Sequence, residues 1–179
     1  MSEEIVVRNC APTLAGLKTG SLFACPYDSR EGLTRFLRDL NRRLGPKGVR
    51  AVPLRISPKK ALIYLYRPDR LHRDLEKAAS LLSCCGYSCT ESGQCLTRLA
   101  KRLREDGEFP HEIGLFLSYP PEDVRGFLEN RPCKCVGCWK VYENEAAAKK
   151  TFAMYKKCTR VYCQQLAKGT TIERLTVAG

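Results

Sequence analysis

The chain has 179 residues and a formal net charge of +12, with 44% hydrophobic and 28% charged residues. This balance is typical of globular proteins and argues against disorder. No apolar run approaches the roughly 18 residues that a membrane helix needs, and the N-terminus lacks the basic start and apolar stretch of a signal peptide. We therefore expect a cytoplasmic protein without membrane contact, folded as a single domain over residues 1–179.

Cysteine is the unusual component, with eleven in the chain. Their share is below the roughly 8–10% that marks a small disulfide-stapled protein. Without an export signal we expect a reducing compartment, where cysteines are thiols, metal ligands or redox pairs rather than structural disulfides. So many oxidisable thiols suit an anaerobic cell.

The first half of the chain predicts a helix followed by a hairpin. An N-cap at Asp28 or Ser29 precedes apolar residues at i, i+3, i+4 and i+7 spacing, which is typical of an amphipathic helix. Residues 49–56 and 61–66 are rich in β-formers and predict a hairpin. Both alternating sets of the second run are largely apolar, so we expect an interior strand covered on both faces.

Helices and short strands alternate through the remainder. Apolar periodicity and Pro or Gly punctuation predict helices from Pro68 to Gly86, over residues 94–105, from Pro120 onward, and over residues 143–163. Short strands are predicted at residues 113–117, at 136–142 and, as an edge strand, at 171–177.

Residues 21–90 alone follow the order β-α-β-β-α-β of a ferredoxin-like unit, with a weak fourth strand at residues 86–89. We therefore predict an α+β fold with a central mixed β-sheet, a ferredoxin-like portion and packed helices, which residues 91–179 extend within the same unit.

Three cysteines close in sequence form the sharpest candidate metal site: Cys133, Cys135 and Cys138. Thiolates select zinc, Cu(I) and iron–sulfur centres, and a tetrahedral site needs a fourth ligand, for which we choose Cys158. Other candidates for that ligand are Cys163, Cys25 and the group Cys84, Cys85, Cys89 and Cys95. The alternative is that these cysteines pack as small hydrophobic residues.

His111 and Glu112 are the candidate catalytic residues, at the entry to the predicted strand 113–117. An imidazole titrates near neutrality and binds metals. Successive side chains alternate along a strand, so we do not expect these two to form a dyad. A structural hydrogen bond of His111 to the backbone is the alternative.

Two strand-to-helix junctions look alike, and they carry Cys25, Tyr27, Ser118 and Tyr119. If the two strands are parallel, these side chains gather at the carboxyl ends, where open sheets bind ligands and helix N-termini favour anions. The sequence thus predicts a cofactor or anionic-ligand site at this edge, with His111 at the opposite end. Neither G-x-G-x-x-G nor a P-loop occurs to strengthen it.

Basic residues lie on at least three predicted helices. The excess of positive charge suits nucleic acid, an acidic partner protein or an anionic cofactor. The alternative is a set of solvated helix faces, and His72 among Arg70, Arg73 and Lys77 indicates such a face.

Several segments together resemble a known family: residues 11–18 with 21–23, 40–44, 61–64 with 67–68, 111–117 with 119–120 and 122–124, 138–142, and 156–158. The most specific is His-Glu-Ile-Gly-Leu-Phe-Leu at 111–117. The family is domain-of-unknown-function family 3793, found mostly in anaerobic Firmicutes. The resemblance covers nearly the whole chain and implies a bacterial cytosolic protein, with no catalytic residues to carry over.

Three functions follow as expectations. The first is a cysteine-rich accessory protein of anaerobic metabolism that holds an iron–sulfur cluster or zinc, or exchanges electrons with an acidic redox protein. The second is a small enzyme or anionic-ligand-binding protein with its site near His111 or at the edge of Cys25 and Tyr119. The third is a basic nucleic-acid-binding module.

Overall fold

The computed structural model describes residues 2–88, 90–105 and 109–179. Its elements in chain order are α1 Glu3–Leu14, β1 Gly20–Pro26, α2 Arg30–Leu44, β2 Arg50–Ile56, β3 Lys60–Tyr66, α3 Pro68–Lys77, α4 Ala79–Cys84, α5 Ser92–Arg102, α6 Ile113–Phe116, α7 Pro121–Leu128, β4 Cys135–Val136, β5 Lys140–Val141, α8 Glu145–Ala167 and α9 Ile172–Leu175. Within the described ranges, no helix has both the length and the apolar character needed to cross a bilayer.

A three-stranded antiparallel sheet lies at the centre, in the order β1-β3-β2. The predicted hairpin is confirmed as β2 and β3, whose register shifts at a bulge between Pro53 and Arg55. β1 also pairs antiparallel with β3. The strands β1 and β2 are therefore parallel to each other and joined through α2, with β3 inserted between them, as in a split β-α-β unit.

The central strand β3 is buried on both faces, as its two apolar sets predicted. Ile63 and its alternate neighbours belong to an apolar cluster with α1, α2 and α9. Tyr64 belongs to the opposite cluster, built with α3, α5, α6 and α7. Its hydroxyl donates to the Phe116 carbonyl at 2.5 Å, which joins the sheet to α6. Both faces of the sheet are thus covered by helices.

The α+β class is confirmed, whereas the ferredoxin-like arrangement is not. In the order β1-β3-β2 the three strands match such a unit, but α2 packs on one face of the sheet and α3 on the other. Residues 86–88 of the predicted fourth strand contain a turn and no strand, and Cys89 lies outside the described residues.

Two predicted strands are wrong, and the sheet is consequently antiparallel rather than mixed. Residues 113–117 contain the short helix α6, and residues 171–177 contain α9. A short apolar run fits a buried strand and a buried helical turn equally well, so periodicity does not separate them. In α9, Ile172 and Leu175 are spaced three residues apart and both enter the core.

The predicted helices are confirmed with altered ends. Ser29 caps α2, its Oγ accepting from the Gly32 amide at 3.0 Å. The helix predicted from Pro68 to Gly86 divides at Ala78 into α3 and α4. Asn144 caps α8, which extends to Ala167. These caps fix where α2 and α8 begin.

Candidate functional site

An open cleft of about 690 Å³ lies between α3 and α8. Its volume falls within the roughly 300–1,000 Å³ of small-molecule binding sites. The loop between α6 and α7 forms its floor with Ser118 and Tyr119, and Trp139 of the β4–β5 hairpin lies beside them. The cleft therefore joins parts of the chain that are distant in sequence.

One wall of the cleft is a cationic face of α3, formed by Arg70, Arg73 and Lys77. Residues at i, i+3 and i+7 share one helix face. The opposite face of the same helix is anchored by Leu71 and Leu75, both fully buried. Packing of these leucines against the sheet thus turns the three cations toward the cleft.

The three cations have few protein partners. Arg70 donates to the Gly16 carbonyl, and Nε of Arg73 donates to the Asp69 carbonyl of its own helix at 3.2 Å. No carboxylate lies within ion-pair distance of Arg70, Arg73 or Lys77 in the part of the chain that the structure describes. Their positive charge is left available to a ligand.

A chain of hydrogen bonds fixes the floor. The Thr19 amide donates to Ser118 Oγ at 2.7 Å, and Thr19 Oγ1 donates to Asp74 at 2.5 Å. Ser118 has a left-handed backbone, with φ of 61°, a conformation that non-glycine residues adopt mainly where surrounding contacts enforce it. The strained residue joins α6, β1 and α3 at the bottom of the cleft.

A partly buried lysine lies behind two tyrosines of the cleft. Lys18 Nζ is 5.8 Å from the Tyr119 ring centre and 5.9 Å from that of Tyr155, within reach of cation–π attraction. Burial lowers the pKa of Lys18. Burial also raises the pKa of Tyr155 to about 12, and the nearby Cys138 thiol adds to the rise. Tyr155 is therefore protonated at neutral pH, and its hydroxyl has no hydrogen-bond partner among the described residues.

Asp123 holds the hairpin against the cleft. Only 3% of the residue is exposed. Its carboxylate accepts hydrogen bonds from Trp139 Nε1 and the Tyr142 amide at 2.7 Å each, and from the Glu143 amide at 3.1 Å. Asp123 is thus occupied by the protein, as Asp74 is by Thr19. Glu122, at the start of α7, is an exposed carboxylate of the rim.

The four cysteines predicted as metal ligands lie in different surroundings. The Cys135 thiol hydrogen-bonds Glu145, and partial burial raises its pKa. Cys138 instead lies near Lys18, Tyr119 and Tyr155, and its thiol acts to raise their pKa values.

Cys133 is exposed, and Cys158 lies half-buried on α8. Across residues 2–88, 90–105 and 109–179, no three His, Cys, Asp or Glu side chains form a group suited to a metal ion. A zinc or iron–sulfur centre on Cys133, Cys135, Cys138 and Cys158 remains a prediction from the sequence.

The four residues predicted to share a sheet edge are divided between two places. Ser118 and Tyr119 lie at the start of β1, where Ser118 accepts a hydrogen bond from the Thr19 amide. Cys25 lies near the other end of that strand, about 20 Å away at about 3.3 Å per residue. Tyr27 lines a separate depression at the start of α2. The expected gathering fails because α6 replaces the parallel strand that it required.

His111 and Glu112 point to different surroundings and form no dyad. Glu112 is buried, accepting from the Tyr87 hydroxyl at 2.9 Å and from Arg102 at 2.5 Å. The His111 ring packs on Phe127, with ring centres 4.7 Å apart. Glu112 is held as the partner of a structural ion pair, whereas His111 lines an apolar pocket on the far side of Tyr119 and Trp139 from α3.

Sequence reasoning missed the α3 wall. Arg70, Arg73 and Lys77 were expected on a solvated face, and their spacing opposite Leu71 and Leu75 was the available signal. The cationic face lies opposite α8 only in the tertiary fold. Some 70 residues separate α3 from α8 in the sequence, so local patterns do not show this. The sequence indicated Asp123 only as an acidic residue at a helix start, where it interacts favourably with the helix dipole. Its role in holding the hairpin was not predicted.

A family model described as a protein of unknown function, DUF3793, matches residues 6–176. The chain belongs to this family. The match spans nearly all of the sequence and confirms the resemblance carried by its motifs. No curated protein and no solved structure matches the chain.

Proposed function

We propose that this protein binds a small organic phosphate in the cleft between α3 and α8. The observation that carries the proposal is the cationic face of α3, whose Arg70, Arg73 and Lys77 face a cavity of about 690 Å³ without carboxylate partners among the described residues. Guanidinium groups present paired donors that match phosphate oxygens, and a lysine adds a point charge.

Neutral donors on the floor and the far wall supplement these charges. The Tyr155 hydroxyl is protonated at neutral pH, as an ordinary tyrosine is, and burial raises its pKa further, to about 12, so it is available to donate to a phosphate oxygen. Ser118 offers a hydroxyl, whose oxygen already accepts from the Thr19 amide and whose hydrogen is free to donate. Hydrogen bonds between such donors and an anion are stronger than those between neutral groups.

The proposal is for binding, because the two inner carboxylates of the cleft are engaged by the protein, whereas Glu122 lies exposed at the rim. Asp74 and Asp123 are engaged by Thr19 and by the hairpin, so neither is placed to act as a free general base. This is the anionic-ligand alternative left open by the sequence, located at Ser118 and Tyr119 but with partners other than Cys25 and Tyr27.

Fluorescence of Trp139 provides the test, because it is the only tryptophan of the chain and lines the cleft. Titration with inorganic phosphate and with pyrophosphate, at ionic strength matched with chloride, is expected to give a saturable change. We expect the double variant Arg73→Gln/Lys77→Gln to weaken the affinity about tenfold or more, since truncated charge contacts cost at least this much.

Arg38→Gln is the matched control, since this arginine is exposed on α2 and lines no part of the cleft. Its affinity for phosphate should equal that of the original chain. Absence of saturation with both anions, or equal affinity in the double variant, would contradict the proposal.

A further inference from the structure

A second cavity, of about 290 Å³, lies between β1, α6, α7 and the hairpin. Leu22, Leu117, Phe109 and Phe127 supply much of its apolar surface. It adjoins the cleft through Tyr119, Asp123 and Trp139, which line both. This apolar pocket differs from the cleft in that most of its described lining is apolar.

The apolar pocket opens to solvent through aromatic side chains. Phe109 is 47% exposed, an unusual exposure for a phenylalanine. Its ring centre lies 5.7 Å from that of His111, which in turn packs on Phe127. Removing such surface from water is favourable by about 25 cal/mol per Å². A guest with an apolar group of matching size would therefore be stabilised there.

The rim of the pocket carries cationic and hydrogen-bonding groups without partners. Lys140 Nζ lies 5.0 Å from the centre of the Phe127 ring. Neither the Lys140 ammonium nor the His111 imidazole makes a hydrogen bond or ion pair within the described ranges. Asp123, the carboxylate of the lining, already accepts from three donors. The available polar groups of the pocket thus favour an anion.

We infer that the apolar pocket binds a monocarboxylate bearing a compact apolar group. The apolar group lies among Phe109, Phe127 and Leu117, and the carboxylate meets Lys140 and His111 at the rim. A volume of about 290 Å³ holds about ten non-hydrogen atoms, taking about 30 Å³ for each water-sized group. This site is separate from the phosphate cleft and does not depend on it.

A single carboxylate suits the rim better than a phosphate does. Lys140 and His111 provide one full charge and one imidazole, whereas a phosphate dianion carries more charge to desolvate beside an apolar wall. The pocket is also too small and concave for a helix of another protein, which binds along an extended groove.

Phenylacetate is the probe for this site, because it joins a compact ring to one carboxylate. We expect saturable binding followed by Trp139 fluorescence, and much weaker binding of 2-phenylethylamine, which has a similar shape and the opposite charge. Lys140→Glu should weaken phenylacetate binding about tenfold. Lys150→Glu, an exposed lysine of α8 outside both cavities, is the charge-matched control and should bind as the original chain does.

Three results of the binding titrations would each overturn the inference. They are the absence of saturation with phenylacetate, equal binding of 2-phenylethylamine, and an unchanged affinity in Lys140→Glu. A further result would also overturn it: the chain does not bind phenylacetate but self-associates, and Phe109→Ser abolishes the self-association. The pocket would then bind a second copy of the chain.

Arg73→Gln/Lys77→Gln separates this inference from the phosphate proposal, since it should retain phenylacetate affinity while losing phosphate affinity. A chain that binds phenylacetate but not phosphate would contradict the cleft proposal alone. Loss of phenylacetate binding in that variant would contradict the separate pocket.

Discussion

Arg67 and Arg73 stand six residues apart at α3 and are held in opposite ways. Arg67 is 3% exposed, and its guanidinium donates to the carbonyls of Thr13 and Leu14 at 2.8 Å and of Val177 at 2.7 Å. Arg73 is exposed and borders the cleft, with no carboxylate partner among the described residues. The partners of a cation, rather than its residue type, distinguish a structural arginine from a ligand-binding one.

Arg43 represents a third, intermediate arrangement. It pairs with Glu3 at 2.5 Å, with Asp39 at 3.3 Å and with Glu173, and so links α1, α2 and α9. The carboxylates of Glu173 and Glu3 raise the pKa of Arg43. Across the three arginines, partners range from several buried carbonyls through partly exposed carboxylates to a single exposed carbonyl of the same helix. We expect the effect on stability to fall in the same order.

The largest loss of stability is expected for Arg67→Met. The change removes three charge-assisted hydrogen bonds; the Thr13 and Leu14 carbonyls keep the Gly16 and Val177 amides as donors, whereas the Val177 carbonyl loses its donor. Hydrogen bonds to charged groups contribute about 1.5–3 kcal/mol each, so losing three should lower the free energy of unfolding by about 3 kcal/mol or more. Urea unfolding measures it, with Arg38→Met as the exposed control. A loss below about 1 kcal/mol would mean that Arg67 is not structurally bound.

Asp123 extends the comparison to carboxylates, because it is as fully bonded as Arg67. In Asp123→Asn the amide keeps one acceptor oxygen, while the charge and part of the bonding to Trp139, Tyr142 and Glu143 are lost. We expect a loss of about 2 kcal/mol, since hydrogen bonds to charged groups contribute about 1.5–3 kcal/mol. Glu122→Gln, on the exposed neighbour, should change little. Equal unfolding midpoints for the two variants would break the comparison.

Glu173→Gln should give a smaller, pH-dependent loss. Arg43 lowers the pKa of Glu173 to about 2 from its ordinary 4.5. A depressed pKa stabilises the fold above the ordinary value, and the stabilisation is lost as pH falls toward the folded-state pKa. Because the pair is partly exposed, we expect only about 1 kcal/mol at neutral pH.

Urea unfolding from neutral pH to about pH 2.5 checks this prediction. The difference between Glu173→Gln and the original chain should shrink as pH falls below the ordinary pKa. The control is Glu31→Gln, because the Glu31 carboxylate makes no ion pair among the described residues. A difference that stays constant across the titration would exclude Arg43 as the cause.

Local sequence patterns predicted the sheet's interior strand and most helices. The two apolar sets of β3 and the capped stripe of α2 are set by neighbouring residues, so their signals are local. The segments of α6 and α9, wrongly predicted as strands, are short apolar runs. In such runs neither length nor hydrophobic period distinguishes a strand from a helical turn. The ferredoxin-like arrangement is not confirmed because α3 packs on the opposite face of the sheet from α2. Local sequence patterns do not encode which face a helix covers.

The candidate site was only partly predictable. Ser118 and Tyr119 were predicted at the edge of two parallel strands, a junction that does not form, and they line the cleft instead; their role in binding stays a prediction. The helical spacing of Arg73 and Lys77 indicated a shared face. That this face lacks carboxylate partners among the described residues follows only from the tertiary structure, in which distant segments meet. The cysteines drew attention by number, whereas their surroundings depend on the hairpin and α8.

The open cations of α3 should contribute least to stability and most to phosphate binding. In Arg73→Gln/Lys77→Gln, without phosphate, the free energy of unfolding should stay within about 0.5 kcal/mol of the original, as for surface substitutions elsewhere. This small expected loss of stability contrasts with the large loss expected for Arg67. Two arginines close together at α3 would then have different roles, one in stability and one in phosphate binding.

Urea unfolding of both chains with and without inorganic phosphate, at ionic strength matched with chloride, tests the central claim directly. A ligand that binds only the folded state stabilises it by RT ln(1 + [L]/Kd), about 2.7 kcal/mol at a hundredfold excess over Kd. We predict that phosphate raises the unfolding midpoint of the original chain and leaves Arg73→Gln/Lys77→Gln nearly unchanged. Equal shifts in the two chains, or no shift in the original, would contradict it.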